Sequence, residues 1–228
     1  MKTIVVTGHS KGIGQAVTKQ LIENGDHVIG IARSAAPQQD SLTQYEADLS
    51  DVAETAAVAK EIAKTKTLNA IVCNAGSGTF AALENFSVNQ IQQQLQLNLL
   101  SPLILLRSIL PILKRQESSH VVLVGSESAI KGGKFGSVYS AAKFGIRGAA
   151  QALRHECASA NCKVGIINPG MTRSDFFDDL AFEPGSQDSH ALLANDVAKA
   201  VLIMLNSSGS AVIDEIVINP LHHVVRKK

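Results

Sequence analysis

Residues 137 to 146, SVYSAAKFGI, set a phenol and an ammonium four positions apart, Tyr139 and Lys143. Tyr139 is one of only two tyrosines in the chain. In a helix the two side chains share a face, one turn apart. A free phenol has a pKa near ~10, too high for easy proton exchange at neutral pH. A neighbouring ammonium favours the phenolate, so this pair could move a proton. The plain alternative is a core tyrosine beside a lysine that snorkels to solvent. Ser126 lies thirteen residues before the tyrosine and adds a hydroxyl directly after an apolar run.

Whether these groups meet depends on the elements that carry them. Short Val- and Ile-rich runs predict strands at 3–7, 27–32, 44–48, 70–74, 120–125, 163–168 and 215–219. Most are apolar on both faces, as strands buried on both sides of a parallel sheet are. Amphipathic stretches near 12–24, 51–64, 87–114, 137–160 and 194–206 predict the helices between them. This alternation implies an α/β fold, a doubly wound, mostly parallel seven-stranded sheet with helices on both faces. No repeat or linker divides the chain, so one domain is expected over 1–228. Its cofactor-binding half is about 1–125, its catalytic and substrate half about 126–220, and a basic tail covers 221–228. In such sheets ligands bind beyond the carboxyl ends of the strands.

The first strand runs into TGHSKGIG, which supplies Gly8, Ser10, Lys11, Gly12, Ile13 and Gly14 and opens a helix. Glycines there permit a tight turn and bring backbone N–H groups close to a diphosphate. At the end of the second strand, a carboxylate would be expected for a free ribose 2′-hydroxyl. The chain has Ala32 and Arg33 instead. Arg33, with Lys11 and Ser10, can hold a 2′-phosphate, which favours NADP(H) over NAD(H). Asp48 follows the third strand and either accepts from an adenine amino group or, like Ser50, caps the next helix. Asn74, Ala75 and Gly76 form a small-residue turn where backbone can pass close to a ribose. Asn168, Pro169, Gly170, Thr172 and Ser174 follow the sixth strand.

Composition narrows the partners. The chain has 228 residues, 45% hydrophobic and 18% charged, with a formal net charge of +1. No concentrated basic character points to nucleic acid. Three cysteines, an odd count without metal-type spacing, suggest a reduced compartment, and a cytoplasmic location is expected. The N-terminal apolar run is too short for a signal peptide. The longest apolar stretch, LNLLSPLILLRSILPIL, is interrupted by Asn98, Pro102, Arg107 and Pro111. No membrane span is expected from it.

Taken together, TGxxxGxG (Thr7 to Gly14), NAG (Asn74 to Gly76), Ser126, YxxxK (Tyr139 to Lys143) and PG (Pro169, Gly170) resemble the short-chain dehydrogenase/reductase family. The resemblance runs from Thr7 to about Pro220. It implies a Rossmann-like fold and hydride transfer between nicotinamide and a small carbonyl or alcohol. Tyr139 would be the general acid/base, assisted by Lys143 and by the positive ring of the oxidised cofactor. Lys143 would also bind the nicotinamide ribose, Ser126 would polarise the carbonyl, and Thr172 and Ser174 would hold the carboxamide. One departure is Cys73, where the family commonly has Asn, and a small stability effect is expected from it.

Asn98 completes the catalytic set. It lies on an apolar helical stripe with Ile91, Leu95 and Leu99, and Pro102 cannot donate to its carbonyl. The family implies a buried water there, relaying protons from Lys143 to solvent. A capping role for Asn98 is the alternative. The family also builds a homodimer or homotetramer through the helix bearing Ala142, Gly145, Ala149 and Leu153, although small residues equally suit packing within the chain.

Substrate contacts are expected from Phe176, Phe177 and Phe182 in a lid at 174–193, and from Phe135 in the segment 130–137. The tail, LHHVVRKK, carries no expected role and no expected order. Two other readings fit parts of the pattern. A nucleotide-sensing protein without turnover would tend to lose Tyr139, Lys143 or Ser126. An epimerase-like relative would need a larger C-terminal region.

Overall fold

The computed structural model describes residues 1–228. In chain order, the first half runs β1 (Thr3–Thr7), α1 (Gly12–Glu23), β2 (His27–Ala32), β3 (Leu42–Glu46), α2 (Val52–Ile62), β4 (Ala70–Cys73), α3 (Val88–Leu95) and α4 (Ser101–Leu113). The second half runs β5 (Ser119–Val124), α5 (Ser137–Cys157), β6 (Cys162–Pro169), β7 (Thr172–Arg173), β8 (Phe182–Pro184), β9 (Leu192–Leu193), α6 (Ala194–Leu205), β10 (Glu215–Ile218) and β11 (Val225–Lys227). Seven strands form one sheet in the order β10-β6-β5-β4-β1-β2-β3, every pair parallel. The order reverses at β1, which lies between β4 and β2, and a ligand crevice belongs beyond that point.

Alternate residues of each strand enter two separate cores. Val5, Ile71 and Leu123 pack with Leu105, Ile109 and Ile146 beneath α2, α4 and α5. Val6, Val72 and Val122 pack with Val17, Leu21, Val197 and Val201 beneath α1 and α6. Both faces of the sheet are thus covered, which is why the strands read as nearly continuous apolar runs.

The helix expected over 87–114 is continuous, and a few local features differ from expectation. β3 starts at Leu42, two residues early, because Leu42 is buried and pairs with Val28. The proline at 102 does not break the long helix. Residues Gln96–Leu100 form a π turn between α3 and α4, in which Ser101 N–H reaches back to Gln96 O. The continuous helical run Val88–Leu113 is therefore long and apolar enough to cross a membrane by length and composition. Its Leu105, Leu106, Ile109 and Leu113 are buried in the core. Finally, the tail is ordered. β11 pairs antiparallel with β8, two strands separated by some forty residues of chain.

Candidate active site

A cavity of about 1050 Å³ runs along the carboxyl ends of the central strands. Its first wall is the glycine loop between β1 and α1. Gly8 adopts φ +68°, the left-handed region that side chains resist. A Cβ on Gly14 would lie 2.1 Å from Gly8 O, so only glycine lets α1 start this close to the turn. Thr7 ties this loop to the turn after β4. Its Oγ1 accepts from Asn74 N at 2.9 Å and Ala75 N at 2.8 Å, while Asn74 Nδ2 donates to Thr7 O at 3.0 Å. The Asn74 side chain is thereby committed to holding the turn.

Ser10, Lys11, Gly12, Ile13, Arg33, Asp48, Ala75 and Gly76 all line this end of the cavity. Lys11 Nζ faces Asp175 Oδ2 of the lid at 3.9 Å, with both groups largely exposed. Asp48 does not cap α2, and neither does Ser50. That role falls to Asp51, whose Oδ1 accepts from Glu54 N at 2.9 Å. Asp48 Oδ1 instead accepts from the backbone and hydroxyl of Ser50, at 2.9 and 2.7 Å. Burial pushes its carboxyl up, but the Ser50 bonds and the Arg33 guanidinium outweigh it and hold the group below its ordinary value.

At the other end the cavity is lined by Ser126, Tyr139, Lys143, Pro169, Gly170, Thr172, Ser174, Phe176 and Phe177. α5 brings Tyr139 and Lys143 to one wall, with Lys143 Nζ 5.6 Å from the phenol ring centroid. Both are buried, at 7% and 4% exposure. Burial pushes the Tyr139 phenol up to about 12, with the Ser126 hydroxyl opposing and the Glu127 carboxylate adding to the rise. Burial also pulls Lys143 down to about 8. Its ammonium donates to Val124 O at 3.1 Å. Desolvation therefore outweighs the Ser126 hydroxyl and holds the phenol above its ordinary value.

Asn98 sits behind Gly76 and does not line the cavity itself. Its Nδ2 donates to Ser77 O and Gln94 O, both at 2.9 Å, and its buried Oδ1 has no protein partner. A Cβ on Gly76 would lie 2.7 Å from Asn98 Oδ1 and 3.6 Å from Lys143 Nζ, so both groups crowd the same backbone. The π turn gives Asn98 this inward position, and Ser101 Oγ satisfies Leu97 O at 2.9 Å. Thr172 Oγ1 donates to Gly170 O at 2.9 Å, and Ser174 Oγ donates to Thr172 O at 3.3 Å. Both hydroxyls thus shape the turn after β6.

The lid folds over the phenol. Phe176 and Phe80 flank Tyr139, with ring centroids 6.0 and 5.3 Å away, and Phe182 meets Phe80 edge-on at 5.2 Å. Phe135, expected here, lies outside the cavity. It adopts φ 63°, is half exposed, and takes Lys134 Nζ at 4.9 Å over its ring. The positive φ turns its side chain out, while its carbonyl accepts from Ala81 N at 2.9 Å. The aromatic that sequence reasoning missed is Phe80, signalled only by its position just past the small-residue turn. Gln94 was missed as well. Buried four residues before Asn98, it accepts from Thr79 N at 2.5 Å and so fixes the approach to Phe80. His9, inside the glycine loop, is buried against Gly30 and bonds Gln44 Oε1 at 2.9 Å.

The stripe on α5 packs within the chain. Ala142 is buried, and a Cβ on Gly145 would lie 3.0 Å from Leu99. The three cysteines are free and buried, and burial pushes the Cys73 thiol up to about 12.

Comparison with known proteins gives one consistent answer. A model of the short chain dehydrogenase family matches residues 2–183. An uncharacterised oxidoreductase of Staphylococcus aureus is 28% identical over 229 aligned positions, covering 96% of this chain and 97% of that one. Oxidoreductase BOA17 of Botryotinia fuckeliana is 27% identical over 216, covering 91% of this chain and 78% of that protein. Among solved structures, the alcohol dehydrogenase of Thermococcus sibiricus complexed with 5-hydroxy-NADP superposes with a TM-score of 0.85. It is 22% identical, with 97% of both chains covered.

Proposed function

The chain belongs to the short-chain dehydrogenase/reductase family, and from that premise we propose that it is an NADP(H)-dependent oxidoreductase acting on a small carbonyl or alcohol. The observation that carries this reading is the convergence of Tyr139, Lys143 and Ser126 on one wall of a cavity that starts at the glycine loop. The cradle suits a dinucleotide: Gly8, Gly12 and Gly14 leave room for a diphosphate against the start of α1. The cavity exceeds the size usual for a single small ligand. A nicotinamide dinucleotide held there by the glycine loop, Arg33 and Lys143 would supply or accept the hydride.

Every proton step falls to the chain's own residues. Tyr139, held near 12, carries its proton at neutral pH and is set to donate it to a carbonyl oxygen. Ser126 orients that oxygen. Lys143, held near 8, sits close enough to neutrality to pass a proton on. Asn98, whose backbone carbonyl cannot receive a hydrogen bond from Pro102, belongs to the relay through a water at that carbonyl. Arg33 is the cation for a 2′-phosphate, because no carboxylate stands at the end of β2.

The whole chain acts as one domain in the cytoplasm on this reading. A homodimer or homotetramer would use exposed Leu100 and Phe144, at 45% and 44% exposure, beside the self-packed stripe of α5. The test is a side-by-side fluorescence titration with NADPH and NADH, followed by a screen of aldehydes, ketones and alcohols. NADPH should bind tighter. Arg33→Ala should weaken NADPH about 10- to 100-fold, the cost of one charge-assisted phosphate contact, and leave NADH nearly unchanged. Equal affinities would overturn the cofactor assignment, and no binding of either would overturn the function.

A further inference from the structure

The ordered tail makes contacts that a trailing basic segment has no need to make. β11 pairs with β8 in the register Val225 to Pro184, Arg226 to Glu183 and Lys227 to Phe182. Arg226 also forms an ion pair with Glu183 across the two strands. Lys228 Nζ donates to Phe177 O and, at 2.9 Å, to Asp178 O, so one ammonium caps the turn that carries Phe176 and Phe177. Upstream, His222 N donates to Ser189 O at 2.9 Å and Gly185 N donates to Val224 O at 2.9 Å. On the far side of the cavity mouth, His223 Nε2 lies 3.2 Å from Glu127 Oε1, next to Ser126. The tail therefore touches both the lid and the loop bearing Ser126.

We propose that residues 221–228 are a positioning element of the substrate site, a strap that holds Phe176 against Tyr139 and Phe182 against Phe80, with Lys228 as its anchoring residue. β8 has no strand partner other than β11. The rest of the lid is held by the short pairing of β7 with β9 and by Arg173, whose Nη2 donates to Gly185 O at 3.1 Å and Gln187 O at 3.2 Å. None of these contacts reaches the turn Asp175–Phe177 from which the aromatic wall rises. Lys11 touches that turn only through a long, exposed ion pair, which stabilises little. Releasing Lys228 leaves Phe177 O with only Leu180 N at 3.1 Å, takes the ammonium from Asp178 O and loosens the wall above them, while the backbone of the glycine loop and Arg33 are untouched. The strap should act on substrate capture and leave cofactor binding alone. That expectation about capture rests on the reductase reading, whereas the claim that the strap holds the lid does not.

The test compares the full chain with Lys228→Met, and with a chain ending at Pro220. Limited chymotrypsin digestion, followed by mass spectrometry, reads cleavage after Phe176, Phe177 and Phe182 without any substrate. Both variants should be cut there about tenfold faster than the parent, as expected when local opening loses two charge-assisted hydrogen bonds. Their melting temperatures and NADPH affinities should stay close to those of the parent. With 4-nitrobenzaldehyde and NADPH, KM should rise about fivefold while kcat holds within about twofold. Unchanged lid cleavage in Lys228→Met and in any folded deletion would overturn the strap. So would faster cleavage spread over the whole chain with a matching fall in melting temperature. If the parent reduces no aldehyde or ketone while the lid cleavage rises as expected, the reductase reading falls and the strap stands.

Discussion

Acid should loosen this protein from the amino end of its sheet, far from the cavity, and His120 is the reason. The imidazole is pulled down from 6.5 to about 4 by burial, then by the Lys163 and Lys2 ammoniums beside it. Its buried Nε2 has no partner. Lys163 cannot turn away, since its ammonium is used by Ser207 O at 3.0 Å. Because the folded value lies below the unfolded one, the unfolded chain takes up the extra proton. The stability tied to neutral His120 is complete above about pH 6.5 and is lost as pH falls through about 4. At ~1.4 kcal/mol per pH unit the ceiling is roughly 3 kcal/mol, and the ring's partial exposure reduces it to about 1–2 kcal/mol. Urea denaturation near neutral pH and again near the folded-state value measures this directly. The parent should lose about 1–2 kcal/mol more on acidification than His120→Gln, which has no proton to take up. Parallel losses in the two proteins would assign the acid sensitivity to groups other than His120.

Two further perturbations probe the walls of the cavity. Thr7→Val removes the hydroxyl that accepts from Asn74 N and Ala75 N, and should cost about 2 kcal/mol in urea denaturation while weakening NADPH binding. Gly30→Ala would place a Cβ 2.5 Å from the His9 ring, so it should destabilise by about 1–3 kcal/mol. His9→Ala in the same chain should recover most of that loss, and a double-mutant cycle with no coupling would contradict the packing described.

The sheet and most of the site were legible because they rest on local signals. Strands buried on both faces must be apolar throughout, and β1, β2, β4, β5 and β6 were. The glycine loop and the Tyr139–Lys143 spacing announce themselves within a few residues of sequence. What escaped depends on contacts distant in sequence. β11 is Val-Arg-Lys, three exposed residues with no hydrophobic period, and it becomes a strand only because β8 lies beside it. Phe135 and Phe80 follow similar small-residue segments. Yet Phe135 takes a positive φ with its ring half exposed, whereas the Phe80 ring packs against Tyr139. Pro102 correctly marked a disturbance near Asn98, but the chain absorbs it in a wider turn and the helix continues. The burial of Tyr139 escaped for a related reason. The charge of Lys143 is visible in the sequence, whereas the aromatic lid that desolvates the phenol is not.

Tyr139→Phe is the most direct test of the proposed proton transfer from Tyr139 to a carbonyl oxygen. NADPH consumption should be followed for parent and variant with whichever aldehyde or ketone the parent reduces fastest. The variant should keep its NADPH affinity and lose about 10²- to 10⁴-fold in turnover, the contribution of a positioned general acid. Turnover equal to the parent's, with NADPH bound as tightly, would contradict it.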